Sequence, residues 1–275
     1  MGSAYNYCYD ALKELLQCAD ITRRYCNRFS GTMLVDGKYL KVKGYEREIP
    51  VIYGVDYYTH DIPHYLFSIA ENYASCDEFF RDLLLLKYPL QNLVTDDNPN
   101  IRDACLKIYP RTTVQLCTNH YKENLRRTLQ SRRDGNEYYA QFMREITALF
   151  AKKRSRQEFD THAGKIYLRY QENTVLKHLL IEMDRRKEIL NGHWFNKEVP
   201  QTNNLIEALN SHLEGRLKTI KGFESFEHAD LWLNAYFIHR RLTKFTDCTK
   251  KFKELNGKCS LEMTLKSWKS LPKIF

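Results

Sequence analysis

Every strand signal in this sequence lies before residue 118, and from about residue 119 to 190 there is none. A sheet must therefore be built early and a long helical block accommodated after it. Alternating and β-branched runs mark strands at Thr32–Lys43, Ile49–Tyr58, His64–Ala70, Asn92–Thr95 and Thr113–Cys117. Amphipathic helices at Ser75–Lys87 and Asn100–Ile108 separate the last three. The order β-β-β-α-β-α-β, a meander followed by crossovers, predicts an α/β fold with a mixed sheet flanked by helices. Inside the first strand, Asp36-Gly37 reads as a bulge or tight turn. A helix is expected over residues 7–28, and isolated breaks near Asp134-Gly135 and Ala163-Gly164 interrupt the helical block. Beyond that block, Glu198–Asn204 forms a turn and cap ahead of a helix over Asn204–Lys218. Lys221-Gly222-Phe223 ends that helix, and Ser225–Phe245 forms another.

At 28% charged and 43% hydrophobic residues, the chain is neither disordered nor a membrane protein. No stretch approaches the roughly 20 uncharged apolar residues of a membrane span. The eight cysteines are scattered without a Cys-x-x-Cys pair, which fits reduced thiols in a cytosolic or nuclear compartment. Residues 1–120 carry 13 basic and 15 acidic side chains, so the net charge of +9 arises entirely from the rest of the chain. Lys152-Lys153-Arg154-Ser155-Arg156 and Arg240-Arg241 belong to that excess. Such a field attracts phosphate polyanions, although solvated helix faces produce the same count.

Three acids stand out by position. Asp36 lies in an otherwise apolar strand, Asp96 at the C-terminal end of the fourth strand where α/β sheets place their sites, and Glu207 on a helix behind a polar cap. Clustered carboxylates repel unless protons or hard cations neutralise them. Oxygen-only ligands suit Mg²⁺ or Mn²⁺, and two such ions can clamp both oxygens of a phosphoryl transfer. Plainer roles stay open. Asp36 could be a turn residue, Asp96 a helix N-cap, Asp97 a competitor for either, and Glu207 a first-turn acid favoured by the helix dipole. Cys117 and His120 supply half of a zinc site, an active-site organising pair, or a buried thiol and a capping imidazole. Asn203 and Asn204 can cap the helix or meet a phosphate, and Asn203, Glu207 and Asn210 share one helical face. Lys38, Arg216, Lys218 and Lys221 flank the acids as candidate DNA-backbone contacts. Trp194 reads as a core residue, with stacking on an unpaired base as the alternative.

Four strings occur in order: Leu34-Val35-Asp36-Gly37-Lys38; Val94-Thr95-Asp96-Asp97-Asn98-Pro99 with Arg102-Asp103-Ala104; Gln115-x-Cys117-x-x-His120; and Thr202-Asn203-Asn204-Leu205-Ile206-Glu207-x-Leu209-Asn210. Over about residues 30–245 the set resembles DDE transposases of the Mutator-like type and their prokaryotic insertion-sequence relatives. The resemblance implies a ribonuclease-H-like mixed sheet holding the two aspartates. It also implies an all-helical insertion between the fifth strand and the helix bearing the glutamate. Asp36, Asp96 and Glu207 become the catalytic, metal-binding triad, with Cys117 and His120 matching the family's Cys-x-x-His. Asn203, Asn204 and Asn210 join the four basic residues as DNA-binding candidates. Asp97 departs from the pattern, standing where such proteins often have Gly.

The expected organisation is an N-terminal helix or linker (1–30), a first part of the catalytic core (31–120), the helical insertion (121–197), the rest of the core (198–247) and a basic tail (248–275). The implied activity is DNA phosphodiester cleavage by water, then attack of the freed 3′-hydroxyl on target DNA, with two Mg²⁺ or Mn²⁺ ions as cofactors. Double-stranded DNA is the partner, and the need to pair two ends makes a homodimer the expected assembly. The compartment would be the nucleoid-containing cytoplasm or the nucleus. A catalytically silent transposase-derived DNA-binding protein and another ribonuclease-H-like nuclease are the rival readings.

Overall fold

The structure is a computed structural model that describes residues 9–130 and 136–267. Five strands, β1 (Thr32–Leu40), β2 (Ile49–Asp56), β3 (Tyr65–Phe67), β4 (Asn92–Thr95) and β5 (Thr113–Leu116), form one mixed sheet in the order β3-β2-β1-β4-β5. The described chain divides into two compact units. One comprises the residues up to Leu93, Pro99–Thr112 and those from Asn204 on; the other comprises Val94–Asn98 and Thr113–Asn203.

In the first unit, β1 and β2 pair antiparallel without interruption from Met33 opposite Asp56 to Leu40 opposite Ile49. Asp36 faces Tyr53 and Gly37 faces Ile52, so the bulge or turn expected at Asp36-Gly37 is absent. Pairing along the whole strand overrides the local turn preference of Asp-Gly. β1 ends at Leu40 because the backbone beyond it pairs elsewhere: Phe223 N–H donates to Lys41 O at 2.9 Å and Lys43 N–H to Phe223 O at 2.8 Å. β2 ends at Asp56, a fully buried acid. Its carboxylate accepts from the Thr59 N–H and hydroxyl on one oxygen, and from the Ser30 N–H, the Ser30 hydroxyl and the Tyr88 hydroxyl on the other.

Alternation along β1 assigns its two faces. Met33 and Val35, with Ile52, pack against Phe79, Phe80 and Leu83 of helix α2 (Tyr73–Leu85) and Ile101, Ala104 and Cys105 of α3 (Pro99–Ile108). Each of the larger of these side chains contributes about 1.5–3 kcal/mol by leaving water. Leu34, Asp36 and Lys38 lie on the opposite face, where α9 (Asn204–Ile220) and α10 (Phe226–Leu242) pack. α9 buries Ile206, Leu209 and Leu213, one stripe at helical spacing. α10 sets Phe237 against Tyr53 and Tyr65, with ring centroids 5.1 and 4.9 Å apart, and Phe226 on Phe67 at 4.3 Å.

The N-terminal helix is broken. Residues 9–13 are helical, α1 spans Cys18–Tyr25, and residues 7 and 8 of the expected helix lie outside the described residues. Buried Asn234 of α10 satisfies the break, accepting from Cys18 N–H at 2.8 Å and donating to Leu16 O at 3.1 Å. Arg241, counted above in the basic excess, is fully buried. Its guanidinium donates to both oxygens of buried Asp61 at 2.9 and 2.8 Å, and also to Cys18 O and the Thr22 hydroxyl. The stretch read as a basic tail carries a 3-10 helix (Lys250–Leu255) and α11 (Ser260–Thr264). Leu261 and Leu265 pack with Ile21 and Ile238, and the Ser260 and Thr264 hydroxyls donate to Asp61.

The second unit contains α4 (Thr118–Thr128), α5 (Glu137–Leu149), α6 (Arg156–Tyr170), α7 (Thr174–Arg185), α8 (Lys187–Leu190) and a 3-10 turn (Gly192–Trp194). Asn136, Ser155 and Asn173 cap the helices that follow them. Edge-on aromatic pairs, Phe142 with Tyr170 and Phe159 with Trp194, fill the interior. The expected break at Ala163-Gly164 does not occur, because α6 runs through it with enough anchoring from Phe159, Ile166 and Tyr170 to absorb one glycine. Asp134-Gly135 lies outside the described residues. Buried Gln115 of β5 ties the end of this unit down: its Nε2 donates to Leu190 O at 2.9 Å and its Oε1 accepts from Gly192 N–H at 2.8 Å.

All seven described cysteines are free, six of them buried. Among the described residues no helix is long and apolar enough to cross a membrane.

One glycine before β1 has a specific geometric duty. Gly31 sits at φ +79°, and an added Cβ would lie 2.5 Å from the Pro89 carbonyl oxygen. Its own carbonyl accepts from Gln91 and Asn92 N–H, so the backbone cannot move away freely. Gly31→Ala is expected to cost about 1–3 kcal/mol, read as a lowered midpoint in denaturant melts.

Candidate functional site

In the first unit the sequence-chosen residues converge on the contact between β1 and α9. Asp36 is half-buried. Its Oδ1 accepts from Gly37 N–H at 2.9 Å and its Oδ2 from the Asn210 side-chain amide at 2.8 Å. Asn210 in turn accepts from the Tyr53 hydroxyl at 2.7 Å through Oδ1. That relay fixes the amide: a phenol facing a carbonyl oxygen donates, so the Asn210 NH₂ must point at Asp36. Burial, reinforced by the charge of Asp36, pushes the Tyr53 hydroxyl well above its ordinary pKa, and it stays a donor. Asn210 was expected at DNA; its amide is instead engaged by the protein's own acid.

One turn further along α9, Glu214 accepts from Lys38 at 2.9 Å on one oxygen and pairs with Lys218 at 3.0 Å on the other. These two ammonium groups hold its carboxyl below the usual range. From Asn210 to Glu214 the helix rises about 6 Å, and from Asp36 to Lys38 the strand rises about 6.8 Å. Helix and strand therefore run alongside each other in the same direction. Glu207, half-buried in the first turn of α9 and three residues before Asn210, belongs to the same stripe. Asn204 opens α9 and is exposed, as are Arg216, Lys218 and Lys221. Lys221 adopts the left-handed φ of +61° just past the helix end.

In the second unit Asp96 follows the last residue of β4. Burial raises its pKa above the usual carboxylate range, while nearby His120, the Asn98 N–H and the Thr95 hydroxyl at 3.4 Å pull it back. α3 begins at Pro99, so Asp96 is too early to be its N-cap and closes an Asx turn onto Asn98 instead. Its competitor Asp97 forms an ion pair with Arg186.

Cys117 is buried just beyond β5, and its N–H bonds Thr95 O at 2.8 Å, which puts the start of α4 beside the end of β4. The Thr118 N–H reaches Gln201 O at 2.9 Å, drawing in the segment that ends at Asn203. Asn203 lies 3.4 Å from His120 Nδ1 through its amide nitrogen. Asn203 is fully buried, which corrects its assignment as a DNA contact; its Oδ1 has no hydrogen-bond partner, so it does not cap the following helix. Trp194 is half-buried: its Nε1 donates to Arg154 O at 2.9 Å, and the Arg156 guanidinium covers its ring.

Tyr53 and Glu214 had not been singled out. Glu214 was detectable, because it continues the Glu207–Asn210 stripe by four residues. Tyr53 was not, because its place opposite Asp36 depends on strand register.

No protein-family model matches the chain, and no curated protein matches it with significance.

Proposed function

We propose that the chain is the catalytic core of a DDE-type transposase with a ribonuclease-H-like fold, cutting DNA and joining the freed 3′-hydroxyl to target DNA. The observation that carries the reading is the docking of α9 along β1 through Asn210 and Asp36, with Glu207 in the same stripe. A half-buried acid on a sheet strand, fixed by a side chain from the helix bearing a second acid, is an arrangement that packing alone does not call for. An antiparallel meander extended by β4 and β5, with helices on its faces, is compatible with the proposed fold.

Carboxylate oxygens are the donors that hard divalent cations take. Asp36 is oriented by the Gly37 N–H and the Asn210 amide, and Asp96 is held in surroundings that disfavour its bare charge. Asp36, Asp96 and Glu207 would hold Mg²⁺ or Mn²⁺; such ions, when bound, activate water and neutralise the charge of the transferred phosphoryl group. Asn210 keeps one Asp36 oxygen oriented, and the Tyr53 hydroxyl keeps Asn210 from flipping. His120 offsets the burial cost of Asp96 without offering a competing carboxylate. Basic side chains along α9 and beyond would take the DNA backbone, and pairing of two ends would make the working form a dimer.

Calorimetric titration of Mn²⁺ tests this reading, with wild type, Asp36→Asn and Asp96→Asn compared in the presence of a generic DNA duplex. Binding should weaken at least about tenfold in each variant. Binding indifferent to both substitutions would overturn the metal centre.

A further inference from the structure

A cleft of about 520 Å³ opens beside the C-terminal half of α9, lined by Lys38, Lys41, Lys218 and Lys221 together with Glu48 and Glu214. The lysines come from β1 and the residue just after it, from α9 and from the Lys221–Phe223 connection, so the cluster is a product of the tertiary fold. Lys221 stays in the left-handed region although it carries a Cβ, and Gly222 follows at φ +129°. That connection is held by Phe223, whose N–H and C=O bond Lys41 and Lys43 on either side. Strain retained in a clamped segment at the rim of a charged cleft points to use.

Glu214 occupies the centre of this cluster, giving one oxygen to Lys38 and the other to Lys218. A phosphodiester offers the same pair of anionic oxygens. Ion pairs this exposed are weak, so removing the carboxylate costs the fold little.

We propose that the cleft binds the phosphodiester backbone of DNA and that Glu214 is an internal competitor, pairing with Lys38 and Lys218 and so keeping both lysines off the phosphates. This rests on the DNA reading given above and adds a regulator to it: the carboxylate weakens indiscriminate binding.

Anisotropy of a labelled generic duplex over stepped NaCl tests the competition. Freeing two lysines in Glu214→Gln should steepen the plot of log affinity against log salt by about 1.8, at roughly 0.9 per phosphate contact. Between roughly 200 and 50 mM salt, that variant should then gain about tenfold more affinity than wild type gains. Adding Lys38→Met should return about half of the extra slope. In an otherwise wild-type background, Lys218→Met should change the slope little, because Glu214 already neutralises that lysine.

A folded Glu214→Gln protein with wild-type slope and affinity overturns the competition and leaves the DNA reading standing. If Glu214→Gln does not fold, Lys218→Met alone decides, since a loss of about 0.9 in its slope means the lysine was already on phosphate. No duplex binding by wild type at low salt overturns both.

Discussion

Asp36→Asn and Asp96→Asn are each expected to lower metal-dependent nicking of plasmid DNA by at least about a thousandfold, while binding of a duplex stays within a few-fold of wild type. A bound metal stabilises the charge of such a transition state by several kcal/mol, and each 1.4 kcal/mol is about tenfold in rate. The substitution is conservative where it matters for folding. An asparagine at position 36 keeps an oxygen that can accept from Asn210 or Gly37, and one at position 96 can still close its turn onto Asn98. What is removed is the negative charge. Gel assays of nicking with Mn²⁺, paired with anisotropy on the same preparations, read the two properties separately. Nicking within about tenfold of wild type in either variant would contradict a catalytic role for that acid.

The second large effect is on stability. Arg241→Met should cost about 3–5 kcal/mol, the penalty for leaving a buried charge without its partner. Arg241 and Asp61 are 1% and 0% exposed, so water cannot take over the solvation of either. Asp61 would keep the hydroxyls of Ser260 and Thr264 but lose two charged donors, and the Cys18 carbonyl and Thr22 hydroxyl would each lose an N–H. The double variant Asp61→Asn/Arg241→Met should recover a substantial part of the loss, because no unpaired charge remains. Urea titrations of wild type, both singles and the double give the coupling directly. A loss below about 1 kcal/mol for Arg241→Met would mean that the pair is not buried in solution.

The layers of the fold could be read from periodicity, and the joints could not. β4 and the buried stripe of α9 follow from local pattern, as does the strand-free character of the described residues between 118 and 203. Asp36-Gly37 misled, since the turn preference of that pair is local and the ladder that overrides it is not. Arg241 looked like surface charge because its partner is 180 residues away. The break in the N-terminal helix could not be seen either, because the side chain that satisfies it, Asn234, lies more than 200 residues further on. At the candidate site, the identities of Asp36, Asp96 and Glu207 were legible as positions in a pattern. The orientation of Asp36 by Asn210 and Tyr53, and the nearness of His120 to Asp96, were not, because they depend on side chains meeting across the tertiary structure.

Gln115 bears on how this chain can be taken apart. The helical unit looks like a cassette in the sequence, yet the strand residue Gln115 holds both Leu190 and Gly192, and Thr95 O holds Cys117, the residue just before α4. The backbone enters and leaves that unit twice, so no single contiguous stretch contains it. A gene segment covering only residues 121–197 would omit both anchors. Recombination that exchanges the helices among related chains would therefore have to carry β5 and the end of β4 with them, making the unit of inheritance larger than the helical block itself.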